Sequence, residues 1–211
     1  METNENIPVR LPDSRYEELK ASAATMQELA GVQSYPIDSL WVAQKLGYEV
    51  HTYNKLGPEA QILARRYSED AFILPCPKGP IDVFYPIYYN DEVVNKPRLN
   101  VSIMHECAHI FLGHPANIEM SKQQKEVEAK FLAKFILAPP IICHYYHLKD
   151  ASSIRNFFNL SYEAAEYAQN YYNKWLGHSK VKNGLIHPTT TECRLLRQLN
   201  IETLSKGGIP V

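Results

Sequence analysis

The residues most able to do chemistry lie in the apolar stretch from Asn100 to Pro115, which contains the pattern H-E-x-x-H. On a helix, the four-residue spacing of His105 and His109 places both imidazoles on one face, where they can hold one metal ion. Glu106 is rotated by about 100° from His105 and can act as general base on a water at the open side of that ion. The pattern therefore predicts a metal-dependent hydrolase.

A simpler interpretation gives the two histidines no ligand role. His105 and His109 lie beside two apolar stripes of the predicted helix rather than within them, so both imidazoles could face solvent. The sequence alone leaves this alternative open.

A catalytic zinc site of this kind needs a third protein ligand and an open fourth position. The extended pattern H-E-x-x-H-x-x-G-x-x-H is absent, because Gly113 and His114 follow His109 by four and five residues instead of three and six. His114 lies beyond the expected end of the helix and is predicted to be a turn residue. The third ligand is therefore expected elsewhere in the chain.

Glu128, in the next predicted helix, is the candidate that we favour. On a helical wheel it shares an apolar stripe with Phe131, Leu132 and Phe135. A carboxylate in an apolar face needs a cation, and a metal ion at the two histidines would be one. The alternative left open is that Glu128 pairs with an arginine or lysine instead.

Glu126 is the neighbouring acid, and the same wheel assigns it the opposite role. It falls on a lysine-rich side of the helix, where Glu126 and Lys130 are predicted to form an exposed i,i+4 pair. Glu126 is therefore expected to be a surface residue.

The elements that must position these residues follow an α+β pattern, with a small, mostly antiparallel sheet and a helical core. Strands are predicted at 48–53, 71–75 and 81–90, and Pro86 favours an edge strand or a bulge in the last of these. Helices are predicted at 13–31, 38–47, 98–112, 121–138, 141–147, 152–158, 161–176 and 191–199.

Composition excludes several classes of function. The chain has 211 residues and a net charge of −1, which does not favour a nucleic-acid or anionic-membrane partner. No signal peptide and no apolar run long enough for a membrane span are found. The four cysteines are scattered, without a C-x-x-C pair, so we expect a reducing, cytoplasmic setting.

The sequence does not favour a DNA-reading helix-turn-helix at 154–176. Its basic residues, Arg155 and Lys174, are opposed by Glu163 and Glu166, which leaves too little positive charge for phosphate contacts. We expect this segment to pack against the rest of the chain, and we expect no direct nucleic-acid binding.

Four stretches of the chain resemble the ImmA/IrrE family of metallopeptidases. They are "YPIDSLWVAQKLGYEV" at 35–50, "IYYNDEVVNKPRLNVSIMHECAHIFLGH" at 87–114, "EVEAKFLAKFILAPP" at 126–140 and "FFNLSYEAAEYA" at 157–168. The third stretch is similar to the family's E-A-N-x-F-A-x-x-L-L-M-P run. The resemblance covers most of the chain, from about residue 35 to residue 176.

The resemblance implies a minimal zincin-like fold and a full set of site residues. His105, His109 and Glu128 would be the zinc ligands, and Glu106 would be the catalytic base. Lys130 stands where the family usually has Asn or Asp, a departure that removes no ligand. The implied organisation is an N-terminal helix or arm at 1–33, a metallopeptidase domain at 34–178, and a C-terminal tail with a short helix at 179–211.

Members of this family are encoded by phages, integrative elements or bacterial genomes, and they cleave or help to inactivate helix-turn-helix repressors. The resemblance therefore implies a zinc-dependent endopeptidase that acts on such a repressor in a bacterial cytoplasm. The alternative is a metal-containing binding protein that sequesters or inactivates a repressor or toxin partner without proteolysis.

Two features of this mechanism stay open at the level of sequence. The strand at 82–90 could hold an extended substrate by edge addition. Six side chains are candidates for stabilising the developing oxyanion: Tyr88, Tyr89, Tyr145, Tyr146, His144 and His147. The histidines around residue 144 are otherwise predicted to belong to a polar helix surface.

Overall fold

The computed structural model describes residues 10–77, 83–201 and 208–210. The helices within these ranges are α1 (Asp13–Ala30), α2 (Ser39–Lys45), α3 (Pro58–Tyr67), α4 (Lys96–Phe111), α5 (Lys122–Leu137), α6 (Pro140–Tyr145), α7 (Ala151–Phe158), α8 (Tyr162–His178) and α9 (Thr190–Gln198). The strands are β1 (Val50–Thr52), β2 (Ala71–Ile73), β3 (Cys76–Pro77), β4 (Val83–Phe84), β5 (Ile87–Tyr89), β6 (Val181–Lys182), β7 (Leu185–Ile186) and β8 (Ile209–Pro210).

The predicted fold class, α+β with small sheets and a helical core, is confirmed. The sheet nearest the candidate site has the strand order β1-β5-β2, with β1 parallel and β2 antiparallel to β5. Two further sheets, β3-β4 and β6-β7-β8, are antiparallel.

The segment around Pro86 differs from its prediction as one strand that is either an edge strand or carries a bulge at Pro86. Pro86 lies between β4 and β5 and divides the segment into two strands, because proline cannot donate a hydrogen bond to a neighbouring strand. β5 is then the middle strand of its sheet, and β2 is an edge strand. Residues 81 and 82 of the predicted strand lie outside the described residues.

Helices α4 and α5 pack against each other and carry the candidate site. Asn95 begins α4 by accepting a hydrogen bond from the backbone N–H of Arg98, and Ser121 begins α5 by accepting one from that of Gln124. Leu132, Ile103 and Met104 are buried at the core between these helices. Both helices therefore have fixed starts and a shared apolar face.

Helix α1 packs on this core rather than extending from it. Leu19, Ala23 and Met26 are completely buried, and α1 lies against α5 and α9. Within the segment predicted as an N-terminal helix or arm, Asp13–Ala30 is thus a helix that packs on the rest of the chain. Residues 1–9 lie outside the described part of the chain.

Among the described residues, no helix combines the length and the apolar character that crossing a membrane requires.

Candidate metal centre

The two histidines of the H-E-x-x-H pattern lie together on α4. The Nε2 atoms of His105 and His109 are 3.0 Å apart, and the His109 side chain is only 11% exposed. Their rings meet nearly edge to face, with an angle of 82° between the ring planes. The helical spacing thus brings both ring nitrogens to one point, as expected for a pair of metal ligands.

Glu126 of α5 completes this group. Its Oε2 atom lies 3.2 Å from His105 Nε2, and its Oε1 atom lies 3.5 Å from His109 Nε2. One donor atom from each of the three residues lies within 4.8 Å of the other two. Imidazole nitrogens and carboxylate oxygens are common metal ligands, so these three residues could hold one metal ion.

The carboxyl group of Glu126 is held in its charged form. Hydrogen bonds with His105 and His109 lower the pKa of Glu126 well below its ordinary value, although partial burial opposes this effect. An ionised carboxylate is the form that binds a metal ion.

Glu128 does not join the histidine pair, which corrects its expected role as the third ligand. Its side chain is fully buried, as the helical wheel predicted, but its cation is Arg15 of α1. Arg15 Nε donates to Oε1 at 2.9 Å and Arg15 Nη2 donates to Oε2 at 2.5 Å. This is the arginine pairing that the sequence left open, and it depends on a contact between residues 113 positions apart.

Two further groups bond to the Glu128 carboxylate. Gln124 Nε2 donates to Oε1 at 3.2 Å, and His114 Nε2 lies 3.3 Å from Oε2. Burial opposes the charge on Glu128, but the hydrogen bonds from Arg15, Gln124 and His114 together lower its pKa. Glu128 is therefore a buried, fully bonded carboxylate.

Glu126 likewise differs from its expected role as a surface partner of Lys130. Its side chain is 50% exposed, yet both of its oxygens contact the histidines of α4. The wheel placed Glu126 away from the apolar stripe correctly. A helical wheel of α5 alone could not show that His105 and His109 of the neighbouring helix α4 lie next to Glu126.

His114 is a residue whose role the sequence reasoning missed. It lies in the turn after α4, as predicted, but it is 1% exposed. Its Nδ1 atom is 3.0 Å from His109 Nδ1. Burial lowers the pKa of His114, with Glu128 opposing the change, which favours a neutral ring.

Gly113 explains how the chain brings His114 back to the helix. Gly113 has a φ of +68°, and the N–H groups of Gly113 and His114 donate to the carbonyls of Ile110 and His109. This is the Schellman pattern that ends many helices, and it requires a residue at ease in the left-handed region. The glycine was visible in the sequence, but the burial of the next residue was not.

Glu106 lies beside the metal-ligand group. Burial raises the pKa of Glu106 to about 7, with His105 lowering it and Glu126 raising it further. The backbone N–H of Ile73, in edge strand β2, donates a hydrogen bond to the Glu106 carboxylate. A carboxyl group with this pKa can both accept and return a proton near neutral pH.

Two cavities meet at this group of residues. One is about 450 Å³ and the other about 560 Å³, and both are lined by Ser68, Ala71, His105, Glu106 and Glu126. The first continues past α5 towards the start of α8, and the second continues past β2 and the turn after α4. A bound chain could therefore leave Glu106 in either direction.

The six predicted oxyanion donors are not among the residues that line these two cavities. His144 is buried instead, with its Nε2 atom 2.7 Å from the Pro210 carbonyl oxygen and its Nδ1 atom 3.1 Å from the Tyr172 hydroxyl. His144 therefore does not belong to a polar surface as predicted. Tyr67, which is 76% exposed, lines the second cavity, and no pattern in the sequence distinguishes it from the other tyrosines.

Comparison of the chain with protein-family models, with curated proteins and with solved structures finds no match. The resemblance to the ImmA/IrrE family therefore stays a prediction. What this site can do follows from its donor atoms, its burial and its cavities.

Proposed function

We propose that this protein is a zinc-dependent endopeptidase in which His105, His109 and Glu126 bind the metal and Glu106 is the general base. The observation that carries the proposal is the convergence of three donor atoms within 4.8 Å of one another, next to a carboxyl group whose pKa is about 7.

The donor set supports zinc in a catalytic rather than a structural site. Two imidazole nitrogens and one carboxylate oxygen suit zinc, and three protein ligands are typical of catalytic zinc sites, whereas structural sites use four. The cluster on the described residues supplies three donors, and the two cavities give a substrate access to them.

Glu106 has the position and the proton affinity for the central step. When bound, zinc acidifies a water molecule and polarises a carbonyl oxygen. Glu106 accepts the proton of the attacking water and then delivers it to the leaving amine, so the carboxylate returns to its starting state. The desolvation that raises its pKa matches its proton affinity to both transfers.

The cavities favour an extended protein segment as substrate. Because Glu106 lies where two cavities meet, a chain can continue on both sides of the bond that is cut, as an endopeptidase requires. Strand β2 lines the second cavity, so a substrate there would run beside an edge strand. We therefore propose β2, instead of the strand predicted at 82–90, as the strand that holds an extended substrate by edge addition.

The identity of the substrate is proposed from the family resemblance. It suggests a helix-turn-helix repressor of a phage or mobile element, cleaved in a bacterial cytoplasm. The sequence patterns that support this are those at 87–114 and 126–140.

Cleavage of a labelled, unfolded protein by zinc-loaded enzyme tests the proposal. Glu106→Gln should lower the rate by about 10²- to 10⁴-fold while the variant keeps its fold and its zinc. Equal rates for wild type and Glu106→Gln would exclude the mechanism. A wild-type protein that holds zinc and binds a repressor without cutting it would instead support the non-proteolytic alternative.

A further inference from the structure

All four lysines of helix α5 line the two cavities beside the candidate metal centre. Lys122 and Lys125 line the second cavity, and Lys130 and Lys134 line the first. Among the residues that the structure describes, none of these four side chains forms an ion pair with a carboxylate. The helix therefore presents four cations, without ion-pair partners, to the space where a substrate would bind.

The spacing of these lysines does not stabilise the helix. Lys122 and Lys125 are three residues apart, and Lys130 and Lys134 are four apart, so the members of each pair are neighbours on the helix surface and repel each other. Lys122 and Lys125 also lie at the start of α5, where the helix dipole disfavours cations and where the first turn contains no acid. Charges that cost stability locally are expected where a ligand of opposite charge binds.

The first cavity has charges of both signs. Glu69, Asp70 and Glu163 line it together with Lys130 and Lys134. Acids of the cavity wall therefore offset these two lysines, and the first cavity favours neither sign of charge in a substrate.

The second cavity differs because its wall beyond the metal centre carries positive charge alone. Its carboxylates are Glu106 and Glu126, and both belong to the proposed catalytic group. Apart from histidines, the remaining charged residues of its wall are Lys122 and Lys125. Apolar and aromatic side chains line the same cavity, at Tyr67, Phe72, Ile73 and Pro115.

We propose that the part of the substrate in the second cavity carries acidic side chains, which Lys122 and Lys125 bind as ion pairs. The inference rests on the proposed function where it concerns cleavage, and it names the class of segment that would be cut. Because the two cavities differ in charge, acidic residues should be selected on one side of the cut bond. The binding of an acidic segment needs no cleavage and can be measured separately.

Binding of short labelled peptides to Glu106→Gln protein tests the charge preference. The probes are three unstructured peptides that are identical except at a few positions, which hold Asp, Asn or Lys. By fluorescence anisotropy, the Asp peptide should bind about 2- to 30-fold more tightly than the Asn peptide, as expected from two exposed ion pairs. The Lys peptide should bind more weakly than the Asn peptide. Equal affinity for all three peptides would overturn the inference.

Reversing the charge of both lysines, in the double variant Lys122→Glu and Lys125→Glu, should reverse the order of affinities. The Lys peptide should then bind more tightly than the Asp peptide, a gain that a damaged fold or metal centre would not produce. The matched control is the double variant Lys149→Glu and Lys174→Glu, which changes the net charge equally at exposed positions that line neither cavity. The control should keep the wild-type order. The same order in both double variants would overturn the inference.

The sequences of cleaved peptides test whether the preference lies on one side of the cut. Zinc-loaded wild type is mixed with a peptide library from a digested protein extract, and mass spectrometry identifies each cut. Asp and Glu should be enriched on one side, and Lys and Arg should replace them for Lys122→Glu with Lys125→Glu. Enrichment on neither side or on both sides would overturn the inference.

The two experiments distinguish this inference from the proposed function. Tighter binding of the Asp peptide without any cleavage of the library would contradict the proposed function alone. Cleavage of the library with equal binding of the three peptides would contradict the inference alone.

Discussion

Glu126 and Glu128 are two residues apart on α5 and have different partners: Glu126 contacts His105 and His109, and Glu128 is held by Arg15. The half-exposed acid thus faces the candidate metal position, and the buried acid supports the structure around it. Substitutions of the two acids should therefore have different effects on zinc binding and on stability.

Glu126→Ala and Glu128→Gln should affect zinc binding to different extents. Removing Glu126 takes away a proposed ligand, so zinc affinity should fall by more than about 100-fold. This loss exceeds the roughly 10- to 100-fold effect that is typical of residues that only hydrogen-bond to a metal ligand. Glu128→Gln keeps an amide that can accept from His114, so its affinity should fall by at most about 100-fold. Zinc analysis after dialysis against a weak chelator measures both. Zinc lost only from the Glu128 variant would restore Glu128 as the third ligand.

Arg15→Gln should destabilise the protein far more than Arg194→Gln. Removing Arg15 leaves a carboxylate with 0% exposure without its counter-charge, which costs about 3 kcal/mol of unfolding free energy. Glu28, the partner of Arg194, is 40% exposed, and such pairs contribute about 1 kcal/mol or less. Urea unfolding of the metal-free variants provides the comparison. Similar losses of unfolding free energy in the two variants would contradict this prediction, and would mean that water reaches the Glu128 carboxylate when Arg15 is absent.

The stability of the metal-free protein should depend on Glu106 in a defined pH range. Since the folded pKa is about 7 and the unfolded value is near 4.5, the folded state keeps a proton between these values that the unfolded chain has released. The free energy of unfolding therefore falls as pH rises through this range.

Glu106→Gln removes this loss and should be more stable than wild type above pH 7, by up to about 3 kcal/mol. The difference should vanish below pH 4. Urea unfolding of the protein in the presence of a chelator, from pH 4 to pH 8, measures this difference in the free energy of unfolding. Glu59→Gln, at an exposed position, is the control for the loss of one charge. Parallel stability curves for wild type and Glu106→Gln would count against the buried environment of Glu106.

Gly113→Ala should disturb the metal centre through the backbone. The φ of +68° at Gly113 costs a residue with a Cβ about 1–2 kcal/mol, and the strain acts on the turn that places His114. We expect lower stability and weaker zinc binding. Gly177→Ala in α8 is the control, because Gly177 has open space around the added Cβ and no positive φ. Gly177→Ala should leave zinc binding unchanged. If Gly113→Ala also left zinc affinity unchanged, the turn would tolerate the strain and this prediction would be wrong.

Local patterns in the sequence predicted the elements that carry the site. The H-E-x-x-H spacing predicted that His105 and His109 would meet on α4. The helices predicted at 98–112 and 121–138 agree with α4 and α5 to within two residues at each end. These features depend on residues within a few turns of one another. Helical periodicity likewise identified Glu128 as buried.

The choice between the two acids of α5 could not be predicted in the same way. Burial of Glu128 required a cation, but a wheel drawn for one helix cannot distinguish a metal ion from Arg15, which is 113 positions away in the chain. The fate of Glu126 and of His114 depends on how α4 packs against α5. Such contacts are set by the tertiary structure and leave no periodic signal.

The most direct measurement is a crystal structure of the zinc-soaked protein with anomalous diffraction data collected at the zinc edge. The account predicts one peak about 2.0–2.2 Å from His105 Nε2, His109 Nε2 and a carboxylate oxygen of Glu126. No peak between these residues at saturating zinc, or a zinc ion bound by Glu128 instead of Glu126, would contradict it.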